Sequence, residues 1–71
     1  MKGRLLEDVT LIRISLGKRT MLSRIAKKGE RVTVGFYSER SYFLEGNRLY
    51  TVIADDGFFG DVDCSAVELT F

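Results

Sequence analysis

The 71-residue sequence has no histidine and only one cysteine, Cys64. Without histidine, the chain lacks the most frequent general base and a principal zinc ligand. A lone cysteine cannot form an internal disulfide, and the strand pattern around Cys64 predicts that it faces inward, where a thiol is a poor nucleophile. We therefore expect a non-enzymatic protein that needs no metal or cofactor and resides in a reducing cytoplasm.

Long apolar runs are also missing from the chain. No segment approaches the roughly 18 consecutive apolar residues of a membrane span, and Glu7 and Asp8 interrupt what would be the apolar core of a signal peptide. The composition, 45% hydrophobic and 30% charged, is typical of soluble globular proteins. A chain of this length closes one core, so we expect a single domain over residues 1–71 that does not enter a membrane.

Proline is absent, so glycines mark the predicted turns of the chain. Between these glycines, the alternating, β-branched segment 9–16 (VTLIRISL) predicts a strand. The same region also fits an amphipathic helix that would bury Leu5, Val9, Ile12 and Leu16. We therefore expect a strand over 9–16, and the pattern leaves open a helix in the region 4–16.

Two glycine dipeptides predict a meander in the N-terminal half. Gly17-Lys18 suits a two-residue type II′ hairpin, and Lys28-Gly29 would form a second two-residue turn. Both turns place the same set of side chains on one face, which we expect to be the core. This set consists of Thr10, Ile12, Ile14, Leu16, Met21, Ser23, Ile25, Val32, Val34 and Phe36.

In the C-terminal half, glycine dipeptides again predict turns between strands. A turn at Gly46-Asn47 would pair the strand around Tyr42 and Leu44 with the strand 48–54, and Asp56-Gly57 would set Thr51 opposite Val62. Residues 67–71 alternate and would form the last strand. The sequence thus predicts an all-β fold, a small antiparallel meander of five to six strands closing into a barrel, with Gly35 and Gly60 as bend or bulge points.

Three segments carry a resemblance to a known class of proteins: KKGERVTV, LEGNRLYTVIADDG and GDVDCSAVEL. The run 28–71 resembles the small SH3-like barrels found in short regulatory and bacteriophage-encoded proteins. Gly46, Tyr50 and Val52 fill the Gly-x-x-Tyr-x-Val pattern of such barrels with one residue too many between the glycine and the tyrosine. The resemblance implies a non-enzymatic adaptor, inhibitor or nucleic-acid binder.

Charge is distributed unevenly along the chain. Residues 1–31 contain nine basic and three acidic side chains, whereas residues 32–71 contain two basic and seven acidic ones. In the predicted meander, part of the basic half forms an outer face that could bind phosphates and stack a base, although solvated strands carry such residues without any ligand. The residues of this nucleic-acid hypothesis are Arg13, Arg24, Arg31, Tyr37, Lys27 and Lys28.

The acidic half predicts a different surface, for a protein partner. Phe58 lies an even number of residues from Val62 and Cys64, which are predicted to face inward, so Phe58 should face inward as well. Phe59 is then expected on the outside, surrounded by carboxylates. The spacing of these carboxylates does not match a calcium loop. Our leading hypothesis is a small regulatory or inhibitory protein, of the kind bacteriophages encode, that binds a partner protein. Its contacts would be Phe59, Asp55, Asp56 and Asp61, with Tyr42 and Tyr50 as secondary contacts.

Three further apolar residues fall on the face predicted to be outside, namely Val9, Leu11 and Leu22. This face is more apolar than a solvated sheet requires. It could be a homo-oligomer or partner interface, or it could be covered by Leu5 and Leu6 folding back. The pattern leaves both alternatives open.

Overall fold

The computed structural model describes residues 1–40 and 47–70, and this part of the chain is all-β, as predicted. The strand expected from residue 9 onward is confirmed, and the alternative helix is wrong. A short 3-10 turn, Cys64–Ala66, precedes the last strand. The strands are β1 (Lys2–Leu5), β2 (Val9–Ser15), β3 (Thr20–Ala26), β4 (Arg31–Arg40), β5 (Asn47–Ile53), β6 (Phe59–Asp63) and β7 (Val67–Thr70).

All seven strands belong to one antiparallel sheet with the order β3-β2-β6-β5-β4-β1-β7. Strands β3 and β4 are four places apart, about 19 Å in a flat sheet, yet only residues 27–30 connect them. That link contains a tight turn and reaches about 15 Å at most, so the sheet must curl. No ladder joins β3 to β7 in the described residues, and the prediction of a closed barrel is therefore wrong.

The core lies on the inner, concave side of the curled sheet. In β2 the buried residue is Leu11, and Val9 packs against the core, whereas Ile14 is exposed. The sequence-based choice of core face was thus wrong for β2 and β3. Strand β2 is apolar on both faces, so alternation alone did not decide which side is covered. The buried residues are Leu5, Leu11, Ala26, Val32, Val34, Val52, Ala54, Val62, Ala66 and Val67.

The β2–β3 hairpin has the predicted register but not the predicted turn. Ile12 lies opposite Ser23 and Thr10 lies opposite Ile25, as expected. The loop spans four residues, 16–19, and its left-handed residue is Arg19 (φ 51°), so the type II′ turn with glycine first is wrong. A two-residue and a four-residue loop give the same strand pairs, which is why the register survives.

The Lys28-Gly29 turn does not form a hairpin. The Glu30 N–H donates to the Lys27 carbonyl (3.0 Å) and Gly29 has φ 93°, which is type II turn geometry. The Gly29 N–H donates to the Leu5 carbonyl (2.8 Å), so the turn docks on β1. Strand β4 then pairs with β1 and β5, and the predicted β3–β4 pairing is wrong. The outer face that the sequence analysis built from Arg13, Arg24, Arg31 and Tyr37 depended on this pairing and is wrong with it.

One further predicted pairing in the C-terminal half is also wrong. The β5–β6 loop spans residues 54–58, with Gly57 in the left-handed region (φ 89°), and Thr51 lies opposite Asp61 and not Val62. On its other side Thr51 lies opposite Phe36 in β4. The strand predicted around Tyr42 and Leu44 falls outside the described residues.

Candidate functional site

One row of paired residues crosses the outer, convex side of all seven strands. In the middle of this row, Ile12 of β2 lies opposite Phe59 of β6, which in turn lies opposite Ile53 of β5. Directly paired residues point to the same side of a sheet, so these three side chains are neighbours. The full row reads Ser23, Ile12, Phe59, Ile53, Thr33, Lys2 and Thr70.

Large apolar side chains surround the middle of this row. Ile12 and Phe59 are half-buried, and the flanking side chains are far more exposed. Single exposed apolar residues are ordinary, but a contiguous group across five adjacent strands, from β3 to β4 in the sheet order, is not. We call this group the outer apolar face. Its exposed members are Ile53 (40%), Ile14 (50%), Ile25 (56%), Met21 (67%) and Phe36 (72%).

A bulge in β4 brings Phe36 to the outer apolar face. Val34 lies opposite Val52, but Phe36 lies opposite Thr51, so Gly35 is an extra residue in β4. The predicted bulge at Gly35 is therefore confirmed. An extra residue reverses the alternation of all that follows. Phe36, which the sequence pattern assigned to the core, consequently faces outward.

The position of Phe59 depends on the next residue, Gly60. A Cβ atom at Gly60 would lie 3.2 Å from Leu11 Cδ2 and 3.4 Å from the Thr10 carbonyl oxygen. Glycine therefore allows β6 to approach β2 closely, which brings Phe59 opposite Ile12. Phe58 has the opposite orientation and packs against the core.

A cationic cluster lies at the far end of the same convex surface. Arg4 of β1 is directly opposite Arg31 of β4, and Lys2 is two residues from Arg4 on the same side of the sheet. Like charges in directly opposed positions are destabilising, so folding alone does not favour this pair. Arg4 Nη2 is 3.0 Å from Glu68 Oε2, and Lys2 Nζ donates to Thr33 Oγ1 (3.3 Å). With Asp55, the cluster lines an open cleft of about 510 Å³.

Arg24 does not belong to either outer group, because it turns to the inner side. Its Nη1 and Nη2 donate to the two carboxylate oxygens of Glu30 (3.1 and 2.9 Å). Its Nη2 also donates to Asp56 Oδ1 (3.1 Å), and its Nε lies 2.8 Å from Asp56 Oδ2 as an ion pair, although this N–H is not aligned for a hydrogen bond. The guanidinium carbon is 5.2 Å from the Phe58 ring centre.

The protonation states follow from these contacts. Hydrogen bonding to Glu30 and Asp56 raises the pKa of Arg24 further, so it stays charged. The Arg24 guanidinium lowers the pKa of Asp56, and hydrogen bonds from Ser65 lower the pKa of Asp63. Burial and then the nearby Asp63 charge raise the pKa of the Cys64 thiol, which disfavours the nucleophilic thiolate.

The residues predicted to bind a protein partner do not form one ring around Phe59. Asp61 shares its face and accepts a hydrogen bond from Thr51 Oγ1 (2.6 Å). Asp56 is turned to Arg24, and Asp55 lines the cleft of the cationic cluster. Tyr50 packs against the core on the inner side, and Tyr42 lies outside the described residues.

The residues predicted to bind nucleic acid are also separated. Arg13 and Arg24 share the inner side of the β2–β3 hairpin, whereas Arg31 lies on the outer side beside Arg4. The Tyr37 ring contacts that of Tyr50 with centroids 5.8 Å apart. The remaining two residues lie near Asp8, where Lys27 Nζ is 3.7 Å from Asp8 Oδ2 and the Lys28 backbone N–H donates to Asp8 Oδ1 (2.8 Å).

Sequence reasoning missed most of the outer apolar face and part of the cationic cluster. Ile12, Ile14, Met21, Ile25 and Phe36 had been assigned to the core, and Ile53 had not been singled out. One signal was present, because β2 carries apolar residues at both parities and only one parity can face a single core. Lys2 and Arg4 were missed because the strand 2–5 was not predicted.

Comparison with protein-family models, with curated proteins and with solved structures finds no match. The resemblance to SH3-like barrels therefore stays a prediction. In the part of the chain that the structure describes, no group of three or more cysteine, aspartate and glutamate side chains could hold a metal ion. Among the same residues, no helix has the length and apolar character needed to span a membrane.

Proposed function

We propose that this protein is a small non-enzymatic binding protein that attaches to a partner protein through its outer apolar face. One observation carries the proposal: Ile53, Ile14, Ile25, Met21 and Phe36 are all at least 40% exposed on one side of the sheet. A contiguous apolar surface in contact with water is unfavourable unless something covers it. Large aromatic and aliphatic side chains at the centre of such a surface are typical anchors of protein interfaces.

The neighbouring charges define the kind of partner. Along the outer row, Ile53 is followed by Thr33 and then by Lys2 of the cationic cluster. A partner with apolar side chains beside a group of carboxylates would match both parts of this surface. We infer that the apolar contacts supply most of the affinity and that Lys2, Arg4 and Arg31 set the orientation and the association rate.

The experiment compares affinity capture from a bacterial lysate by three forms of the full chain. These are the natural protein, Phe36→Ser in the outer apolar face, and Leu16→Ser as the matched control. Leu16 is also exposed but lies in the β2–β3 turn, away from the outer row. We expect quantitative mass spectrometry to find a protein that the natural chain and Leu16→Ser retain and that Phe36→Ser loses.

A second pair of variants tests the charge part of the proposal. Lys2→Glu reverses one charge of the cationic cluster and should slow association with the captured protein, more strongly at low salt. Lys18→Glu makes the same charge change in the β2–β3 turn and should have little effect. Equal capture by the natural chain and Phe36→Ser would contradict the proposed binding face.

Nucleic-acid binding is the second candidate function, favoured by the opposed Arg4 and Arg31 with Lys2 beside them. This cluster, and not the predicted set around Arg24, would contact phosphates, because Arg24 is engaged by two carboxylates. Retention of single-stranded DNA or RNA at low salt, lost in Arg31→Ala and steeply reduced by added salt, would support it. No retention at low salt would exclude it.

A further inference from the structure

The two edge strands of the sheet differ in how they are protected. β7 has four residues, and its Glu68 forms an ion pair with Arg4. β3 has seven residues, and Met21, Leu22 and Ile25 are all exposed. Its one charged side chain, Arg24, is turned inward, where it forms ion pairs with Glu30 and Asp56.

Natural edge strands usually avoid pairing with other chains by being short or by carrying charges, prolines or bulges. Apart from the inward-facing Arg24, whose charge the Glu30 and Asp56 carboxylates offset, strand β3 has none of these features: it is a full-length strand without proline, and it pairs with β2 in an unbroken ladder from Thr20 to Ala26. In the described part of the chain, β2 is its one ladder partner. Its second edge therefore presents unpaired backbone N–H and C=O groups.

We propose that two copies of this protein associate through β3, antiparallel, about a two-fold axis at Ser23. In an antiparallel ladder, two directly opposed residues either both point their backbone N–H and C=O groups toward each other or both point them away. Because this orientation alternates along a strand, opposed residues of two identical strands differ by an even number of positions. The two-fold axis must therefore pass beside one residue of β3 and not between two residues. Centring on Ser23 places Thr20 opposite Ala26 of the second copy and pairs all seven residues of β3.

The side chains match this register on both sides of the sheet. On the outer side, Met21 of each copy lies opposite Ile25 of the other, forming two apolar pairs across the junction. On the inner side, Leu22 of each copy lies opposite Arg24 of the other. The two Leu22 side chains are therefore diagonal neighbours, and so are the two Arg24 side chains, whose charges the Glu30 and Asp56 carboxylates offset. The sequence of β3 is thus complementary to itself, as a two-fold interface requires.

Charge and the number of paired residues disfavour the two neighbouring registers. An axis at Arg24 would set two guanidinium groups directly opposite each other. An axis at Leu22 would pair only five residues of β3 in each copy, whereas an axis at Ser23 pairs seven. In the Ser23 register each Arg24 stays next to its own Glu30 and Asp56 carboxylates, which offset its charge. A second copy is for this reason a better occupant of the edge than a strand of unrelated sequence.

One strand from each copy makes a small interface, below the about 800 Å² per partner of stable complexes. We therefore expect monomer and dimer to exchange in the micromolar range. The association shares Met21 and Ile25 with the proposed partner surface, but its backbone contacts lie at the β3 edge, whereas Phe36 and Ile53 lie on β4 and β5, so variants of Phe36 distinguish the two associations.

Sedimentation velocity of the full chain over a range of concentrations tests the dimer. The natural protein should show concentration-dependent association, and Met21→Lys and Ile25→Glu should each raise the dissociation constant about tenfold or more. An equimolar mixture of these two variants should recover association, because the new lysine of one copy then faces the new glutamate of the other. Phe36→Lys, an equally drastic change on β4, should associate like the natural protein.

Cross-linking in a Cys64→Ser background fixes the register. Ser23→Cys should form a disulfide-linked dimer on mild oxidation, whereas Met21→Cys and Ile25→Cys should link to each other in a mixture and not to themselves. A natural chain that remains monomeric up to about 1 mM would overturn the proposal and leave the β3 edge to a strand of another protein. Loss of association in Phe36→Lys but not in Met21→Lys would also overturn it, since the copies would then meet through the outer apolar face.

Discussion

Arg24 and Asp56, 32 residues apart in the chain, form an ion pair in which Nε lies 2.8 Å from Oδ2. The same guanidinium binds Glu30 just before β4, and it lies over the Phe58 ring. Arg24 thus connects the edge strand β3 to the β5–β6 turn and to the start of β4. We interpret it as a structural contact that holds the β2–β3 hairpin to the rest of the sheet.

The first prediction is energetic coupling between these two residues. Arg24→Met and Asp56→Asn should each lower the thermal unfolding midpoint, and the double variant should lose less than the sum of the two, because either change removes the same ion pair. Thermal unfolding followed by circular dichroism measures this. Lys18→Met, in the exposed β2–β3 turn, is the control and should leave the midpoint nearly unchanged. Strictly additive losses would contradict a direct contact.

The second prediction concerns acid. Arg24 holds the pKa of Asp56 below its ordinary value of 3.8 in the folded protein. A carboxyl with a lowered folded pKa stabilises the protein above its unfolded pKa and loses that contribution as the pH falls through the folded value. Between about pH 5 and pH 2, the unfolding midpoint should therefore fall less for Asp56→Asn than for the natural chain.

A second carboxyl group, that of Asp63, also contributes to the acid sensitivity of the protein. Its pKa is also lowered, by hydrogen bonds from the Ser65 side chain and backbone, so it contributes with the same sign in the same range. Asp56→Asn should consequently keep part of the acid sensitivity, and Asp56→Asn with Asp63→Asn should keep less. An acid profile of Asp56→Asn identical to that of the natural protein would contradict the role of the Arg24 ion pair.

Local patterns predicted the strands well, and pairings between distant strands poorly. The β2–β3 register was correct because one short loop fixes it. The β3–β4 pairing failed because Lys28-Gly29 fits a type II turn as well as a hairpin turn, and nothing nearby showed that Leu5 of β1 would take the Gly29 N–H. A contact between residues 24 positions apart, such as Leu5 and Gly29, cannot be read from the local alternation of apolar residues.

The candidate site shows the same limit. Phe59 was singled out from strand parity, and it does lie on the outer row opposite Ile12. Ile12 and Ile14 were assigned to the core because their strand had two apolar faces and the more continuous one was chosen. Which face is buried depends on Leu5 and Val32 reaching the inner side through the curl of the sheet, a global property that no single strand reveals.

The third prediction tests which face of β2 is buried. Leu11 is fully buried, whereas Ile14 on the opposite side is 50% exposed. Leu11→Ala should therefore cost about 2 to 5 kcal/mol of unfolding free energy, and Ile14→Ala less than about 1 kcal/mol. Urea denaturation gives both values. A larger loss for Ile14→Ala would restore the face expected from sequence alternation.

The fourth prediction concerns Gly3 in β1. A Cβ atom there would lie 2.9 Å from Val67 Cγ1 and 3.2 Å from the Glu68 carbonyl oxygen, so β1 could no longer fit between β4 and β7 without a shift. Gly3→Ala should destabilise the protein by about 1 to 3 kcal/mol. At Gly17 no heavy atom lies within 4 Å of the same position, and Gly17→Ala is the matched control, expected within about 0.5 kcal/mol of the natural chain.

The last prediction ranks three phenylalanines by the role of each side chain. Phe58 packs against the core and beneath the Arg24 guanidinium, Phe59 is half-buried between Ile12 and Ile53, and Phe36 is 72% exposed. The loss of unfolding free energy on substitution by alanine should follow this order, from about 3 kcal/mol for Phe58 to within about 0.5 kcal/mol for Phe36.

Loss of partner binding should rank these phenylalanines differently. Phe36→Ala and Phe59→Ala remove part of the outer apolar face, whereas Phe58→Ala leaves it in place, so Phe58→Ala should bind normally at a temperature where it is still folded. Urea denaturation and capture of the same protein, measured on the same three variants, separate stability from binding. If binding decreased in proportion to stability across all three, the outer apolar face would have no role beyond the fold.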